Sequence, residues 1–207
     1  MTDNHNIKAI IFDLGNVLID FDHRIAAERV AHFTNKSTQE IFAFFFDSEL
    51  TGLFEEGKIS PQVFFLKVKE ALDLKLSYGS FVPIFNEIFF LSQKNRAVYH
   101  LARQLKEKYK LALLSNVNRL HFDYVRKKFP VFDPFHNIVL SCEVGLRKPD
   151  PSIYQKIIDI LQVPAQSIFY TDDRQELIDG ANSLGIQGFV FKDIDKLKRD
   201  LSHKGVI

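Results

Sequence analysis

The sequence predicts an α/β fold, a parallel sheet with helices on both faces, carrying an all-helical unit inserted after the first strand. Three observations carry this expectation. The run Ile7 to Phe12 is apolar and Ile-rich and stops abruptly at Asp13, as a strand buried on both faces would. Residues from about 93 onward alternate helix-like and strand-like segments, the pattern of a parallel sheet. Residues 20–92 break that alternation and carry little strand signal. The expected organisation is a discontinuous core, residues 1–19 and 93–207, with residues 20–92 forming a helical cap domain over the carboxyl edge of the sheet.

The elements follow in order. Ser37-Thr-Gln-Glu40 is a capping-box signature ahead of the aromatic run Ile41 to Phe46. Gly57 punctuates, Ser60-Pro61 supplies an N-cap with Pro at the first helical position, and Tyr78-Gly79-Ser80 separates a further helix. About four helices are expected here. Asn95 to Tyr109 places Val98, Leu101, Ala102 and Leu105 on one helical face. Lys110 to Leu114 reads as a strand ending at Ser115, Asn118 to Lys128 as a helix, and Asn137 to Leu140 as a strand. Pro151 to Leu161 is a helix, Ser167 to Tyr170 a strand, Gln175 to Leu184 a helix stopped by Gly185, and Gly188 to Phe191 a last strand before the terminal helix.

Composition narrows the partners. The 207 residues hold 46% hydrophobic side chains, enough for a full core. With 27 basic against 26 acidic residues, the chain has no field that seeks polyanions, so neither nucleic acid nor a membrane surface is an expected partner. A single Cys excludes an internal disulfide and fits a reducing compartment. The polar stretch Met1 to Asn6 does not read as a signal peptide. A cytoplasmic protein, monomer or homodimer, is expected. The 21 Phe with no Trp read first as bulky helix-packing residues and second as a ligand-lining box.

Four polar features stand at expected sheet edges: Asp13, Ser115-Asn116, Lys148 and Asp172-Asp173. Singly, each has a plain reading: helix caps for the acids and Ser115, a solvated surface cation for Lys148. Together they fit phosphoryl transfer. An ionised Asp13 can attack phosphorus but repels an anionic substrate, so a cation must bridge them. Carboxylate oxygens from Asp13 and Asp173 suit Mg²⁺, and the backbone carbonyl of Gly15 can add a third ligand. Ser115 and the Asn116 N–H can hold a phosphate oxygen at a helix start, while Lys148 supplies compact positive charge. Asp172 and Asp173 side by side again call for a cation.

The chain resembles the haloacid dehalogenase superfamily of hydrolases. The motifs run in order as Ile11-Phe-Asp13-Leu-Gly-Asn-Val-Leu18, Leu113-Leu-Ser115-Asn116, Arg147-Lys148-Pro149 and Tyr170-Thr-Asp172-Asp173-Arg174. The wording around Asn118-Arg-Leu-His121 and Ile153-Tyr-Gln155 is similar to the bacterial α-D-glucose-1-phosphatase-like branch. The resemblance implies a Rossmann-like core with a small helical cap. It implies Asp13 as the nucleophile that becomes an aspartyl-phosphate, and Asp13, the Gly15 carbonyl and Asp173 as Mg²⁺ ligands with Asp172 close by. It implies Ser115, Asn116 and Lys148 as phosphate binders, and a small phosphorylated metabolite, a sugar phosphate among the candidates, as substrate. Most phosphatases of the family carry a second Asp where this chain has Gly15, and an Asp or Asn where it has Leu177.

General acid–base help is worth about 10²–10⁴-fold. Its absence at Gly15 predicts a slow enzyme whose rate falls steeply with leaving-group basicity. His23 and His121 could substitute, or be surface or packing residues. Arg147 and Arg174 flank motif residues without a decided role. Glu55-Glu56-Gly57 is either a turn facing the site, where sugar hydroxyls find acceptors, or a solvated loop. Cys142 reads as a small buried thiol. Two rivals remain: a metal-independent 2-haloacid dehalogenase, and a weakened relic that binds a phosphorylated ligand without turnover.

Overall fold

The computed structural model describes residues 6–207. The leader-free reading of the N-terminus rests mainly on residues 1–5, which lie outside them. β1 (Ala9–Phe12) is followed by β2 (Asp20–Phe21), then α1 (His23–Ala31), α2 (Thr38–Asp47), α3 (Glu49–Glu55), α4 (Pro61–Ala71), α5 (Tyr78–Asn86) and β3 (Phe89–Phe90). The alternating stretch runs α6 (Gln93–Leu105), β4 (Lys110–Ser115), α7 (Arg119–Lys128), β5 (Asn137–Leu140) and the single-turn α8 (Ser141–Val144). It continues with α9 (Pro151–Leu161), β6 (Ile168–Asp172), α10 (Gln175–Asn182), β7 (Gln187–Val190) and α11 (Ile194–His203).

The sheet is parallel throughout, in the order β5-β4-β1-β6-β7. β1 is central, and the strand order reverses there, the chain stepping from β1 out through β4 and β5 on one side and then through β6 and β7 on the other. Open α/β sheets bind ligands at such a switch point, beyond the carboxyl ends of the strands. Alternate residues feed two apolar layers, as the strand period of two requires. Ile10, Phe12, Leu111, Leu113 and Phe169 pack on one face, and Ile11, Ala112, Leu114, Ile168 and Tyr170 on the other.

Residues 23–86 bury their own apolar cluster, in which Phe45, Phe54, Phe64, Phe65, Phe81 and Phe85 take part. Phe54 and Phe64 stack with centroids 4.3 Å apart. The helix-packing reading of the Phe-rich runs therefore accounts for most of this insert. The Ser37–Glu40 capping box forms, with the Ser37 N–H donating to Glu40 at 2.8 Å.

Three details depart from the sequence reading. Five helices occur rather than about four, because α1 starts at once on the Asp22 N-cap. Gly79 lies inside the first turn of α5, capped by Ser77, instead of separating two helices. The insert is also not wholly helical: β2 and β3 pair antiparallel, Asp20 with Phe90 and Phe21 with Phe89. A two-residue ribbon is too short to show alternation.

Candidate active site

β1 delivers Asp13 to the switch point, where it is 7% exposed. β6 delivers Asp172, fully buried, with Asp173 after it. Between the two acids stands Lys148, 2% exposed, on the loop before α9. Its three N–H donors meet Asp13 Oδ1 at 2.8 Å, Asp172 Oδ2 at 2.7 Å and the Leu114 carbonyl at 3.0 Å. Tyr170 OH lies 3.1 Å from the ammonium and donates its own proton to Asp172. The Lys148 main chain is held by Asn116, whose side-chain oxygen accepts from the Lys148 N–H at 2.9 Å and whose amide donates to its carbonyl at 2.8 Å. Asn116 thus positions the lysine, beyond the phosphate contact expected of its backbone.

The electrostatics follow from burial. Desolvation pushes the Asp13 carboxyl up to about 7, an effect that Lys148 opposes and that Asp172 and Asp173 reinforce. Burial also acts to raise Asp172, but Lys148, Tyr170 and the Arg174 N–H outweigh it and hold that carboxyl below its usual range. Burial raises Asp173, against a 2.8 Å hydrogen bond donated by the Asn16 amide. Burial acts to lower Lys148, and the two carboxylates more than reverse it, so the ammonium stays charged.

Asp13, Asp172 and Asp173 each offer a carboxylate oxygen within 4.8 Å of the others. Three acids against one ammonium leave negative charge uncompensated in a buried place, and an all-oxygen donor set suits a hard divalent cation. The residues present therefore fit Mg²⁺. Both Asp172 oxygens are already engaged, so Asp13 and Asp173 have the freer lone pairs.

Beside the acids lies a cavity of about 50 Å³. Gly15, Ser115 and Asn116 line it from the sheet side, and Phe21, Phe89 and Glu55 from the insert. The two phenylalanines belong to the β2–β3 ribbon rather than to the helical aromatic runs. Of the open alternatives, Glu55 does face the site. Its neighbour Arg147 pairs with it at 3.3 Å, while Arg174 pairs with exposed Glu176. His121 lines the cavity too, but both ring nitrogens are committed. Its Nε2–H donates to the Phe85 carbonyl at 3.1 Å and Nδ1 accepts from Asn118 at 2.9 Å. His23 packs against Phe21 and Phe46. Cys142 is half-buried, its thiol pushed up to about 11 mainly by burial. Leu177 is buried with an apolar side chain, and its carbonyl accepts from Tyr154 OH at 2.7 Å.

Sequence reasoning missed Tyr170 and Asn16. Tyr170 lies two residues before Asp172 on one strand, hence on the same face, and that spacing was a usable signal. Asn16 adopts φ +55°, a left-handed conformation that Asn tolerates better than most residues. Among the described residues no helix is long and apolar enough to cross a membrane.

The D-ribitol-5-phosphate phosphatase of Bacteroides thetaiotaomicron is 26% identical over 197 residues, covering 88% of this chain and 91% of its own. Drimenol cyclase drtB of Aspergillus calidoustus is 23% identical over 199 residues, which take in 95% of this chain but 36% of the fungal protein. The chain thus spans about a third of that relative's length. A solved HAD family enzyme from Bacteroides thetaiotaomicron, in complex with magnesium and inorganic phosphate, matches with a TM-score of 0.79 and 27% identity over 91% of this chain and 96% of its own. The sequence profile of haloacid dehalogenase-like hydrolases matches residues 7–185, and with that match over most of its length the chain belongs to this family of hydrolases.

Proposed function

We propose that the protein is a Mg²⁺-dependent phosphomonoester hydrolase acting on a small phosphorylated metabolite. The observation that carries this reading is the buried Asp13–Lys148–Asp172 bridge, with contacts of 2.8 and 2.7 Å, set beside Asp173. A dehalogenase has no use for the second and third acids. Asp13 attacks phosphorus and becomes an aspartyl-phosphate, which water then hydrolyses. Lys148 stays charged and offsets both the nucleophile and the phosphate oxygens. Ser115 Oγ and the Asn116 N–H hold a phosphate oxygen. Asp13, the Gly15 carbonyl and Asp173 would hold Mg²⁺, with Asp172 close by, and the ion when bound neutralises phosphate charge.

Residues 20–92 act as a cap over a core of residues 1–19 and 93–207, excluding water from the crevice. The protein works in the cytoplasm as a monomer or homodimer, without a nucleic-acid partner. The named relative acts on a polyol phosphate, so polyol and sugar phosphates belong at the head of the substrate panel.

The test is a screen of phosphorylated metabolites with and without Mg²⁺, including ribitol 5-phosphate and sugar 1-phosphates. Asp13→Asn should bring phosphate release to background, and chelation should abolish it. Turnover of 2-haloacids that survives chelation would establish the dehalogenase instead, and binding of phosphate esters with no turnover would establish the relic.

A further inference from the structure

We infer that Glu55 is the proton carrier of the reaction, serving as acid to the leaving oxygen and then as base to the attacking water. The inference rests on the phosphatase reading and deepens it. Gly15 has no side chain to move a proton, and a Cβ there would lie 2.7 Å from the Phe21 ring. Glu55 stands on the opposite wall of the cavity that Gly15 lines. With Gly15, Ser115 and Asn116 it lines a cavity of about 50 Å³, room for no more than a few waters.

The position is built rather than incidental. Glu55 closes α3, and its carbonyl accepts a 2.6 Å hydrogen bond from Ser141 Oγ at the start of α8, just past β5. Two residues on, Gly57 takes φ +66° and lies so near Cys142 that a Cβ would stand 2.2 Å from its carbonyl oxygen. The turn is thereby seated on the sheet edge. The Glu55 side chain is 26% exposed, and its Oε2 accepts from Arg147 at 3.3 Å, a long contact. Among the described residues Oε1 has no hydrogen-bond partner. Burial pushes the Glu55 carboxyl up, against the pull of Arg147. The other titratable group on the cavity, His121, has both nitrogens occupied.

In the first step an Asp13 oxygen bonds to phosphorus, and the bond from phosphorus to the leaving oxygen breaks with its electron pair. That oxygen takes the Glu55 proton and departs as a neutral alcohol. In the second step water gives a proton to the Glu55 carboxylate while its oxygen bonds to phosphorus. The bond to Asp13 breaks, inorganic phosphate leaves, and Asp13 and Glu55 return to their starting forms.

Glu55→Gln keeps the size of the side chain and an acceptor for Arg147. For an alkyl phosphate its kcat/KM should fall about 10²–10⁴-fold, while for p-nitrophenyl phosphate, whose leaving group needs no proton, it should stay within about threefold. Release of p-nitrophenol should then show a burst, because the second step lacks its base. Arg147→Met removes the ion pair and keeps the carboxyl, so the ratio of alkyl to aryl kcat/KM should hold. Equal losses on both esters in Glu55→Gln, no loss on either, or the same ratio change in Arg147→Met overturns the role of Glu55. A wild-type protein that hydrolyses neither ester with Mg²⁺ overturns the phosphatase reading itself.

Discussion

Gly15 stands where a second aspartate would carry protons, and the ring of Phe21 fills the space a side chain there would need. Phe21 is itself fixed, edge-on to His23 at 5.1 Å and tilted against Phe89 at 5.9 Å. Restoring the missing acid therefore meets a steric obstacle. Gly15→Asp should lower stability by about 1–3 kcal/mol, the usual range for overpacking, without raising turnover. Phe21→Ala in the same chain should recover part of that loss. Urea unfolding of the parent and the two variants decides it, and a Gly15→Asp protein as stable as the parent would show that Phe21 yields freely. The buried acids nearby follow a different logic: Lys148 uses every donor it has, so the pair is defined by full satisfaction and not by proximity alone.

Among the elements, the α3 turn matters most to the site. It meets α8 through Ser141, whose hydroxyl oxygen also accepts from the Val117 N–H at 2.9 Å. One side chain thus ties the insert to the loop that follows β4. Gly57 permits this approach in two ways, by its left-handed backbone and by its lack of a Cβ. Gly57→Ala should lose on the order of 1–3 kcal/mol from the backbone conformation alone. It should also lift Glu55 from the cavity, so that kcat/KM for alkyl phosphates drops with it. Thermal unfolding and the ester ratio together read the two effects, and an unchanged ratio would separate the turn from the chemistry.

Across the whole molecule, the insert and the sheet unit meet at a pair of histidines, His23 from α1 and His121 from α7, with ring centroids 6.1 Å apart. Burial lowers His23 to about 4, against a small upward pull from Asp22. Burial and the neighbouring His23 lower His121 to about 3. Both folded values lie below the ordinary value of 6.5. Between 6.5 and these values the unfolded chain binds more protons, so stability is complete above pH 6.5 and falls as pH drops toward 4 and 3. At pH 5 each histidine withdraws up to about 2 kcal/mol relative to pH 7. Among the described residues His23 Nδ1 is buried without a hydrogen-bond partner, so His23→Phe removes one proton site at little structural expense. The fall in urea midpoint from pH 7 to pH 5 should be smaller in His23→Phe than in the parent, and an equal fall in both would refute it.

The sequence by itself determined what local patterns can encode. Ile7 to Phe12 marked the buried central strand, the alternation after residue 93 marked a parallel sheet, and Ser37, Ser60 and Asn118 marked helix starts that the structure uses as N-caps. Asp13, Ser115 and Asp172 were legible because each follows an apolar run at a predicted strand end, and Lys148 because it sits near one, in the run Arg147-Lys148-Pro149. The rest depended on contacts between distant residues. Lys148 meets Asp13 across 135 positions, and Ser141 meets Glu55 across 86. A carboxylate at a helix end looks the same in sequence whether it faces solvent or a cavity, so only the tertiary structure could turn Glu55 toward Asp13's crevice. For the same reason the ribbon that carries Phe21 over Gly15, two residues on each side, left no periodicity to read. Local chemistry chose the groups, and long-range packing chose which of them share a space.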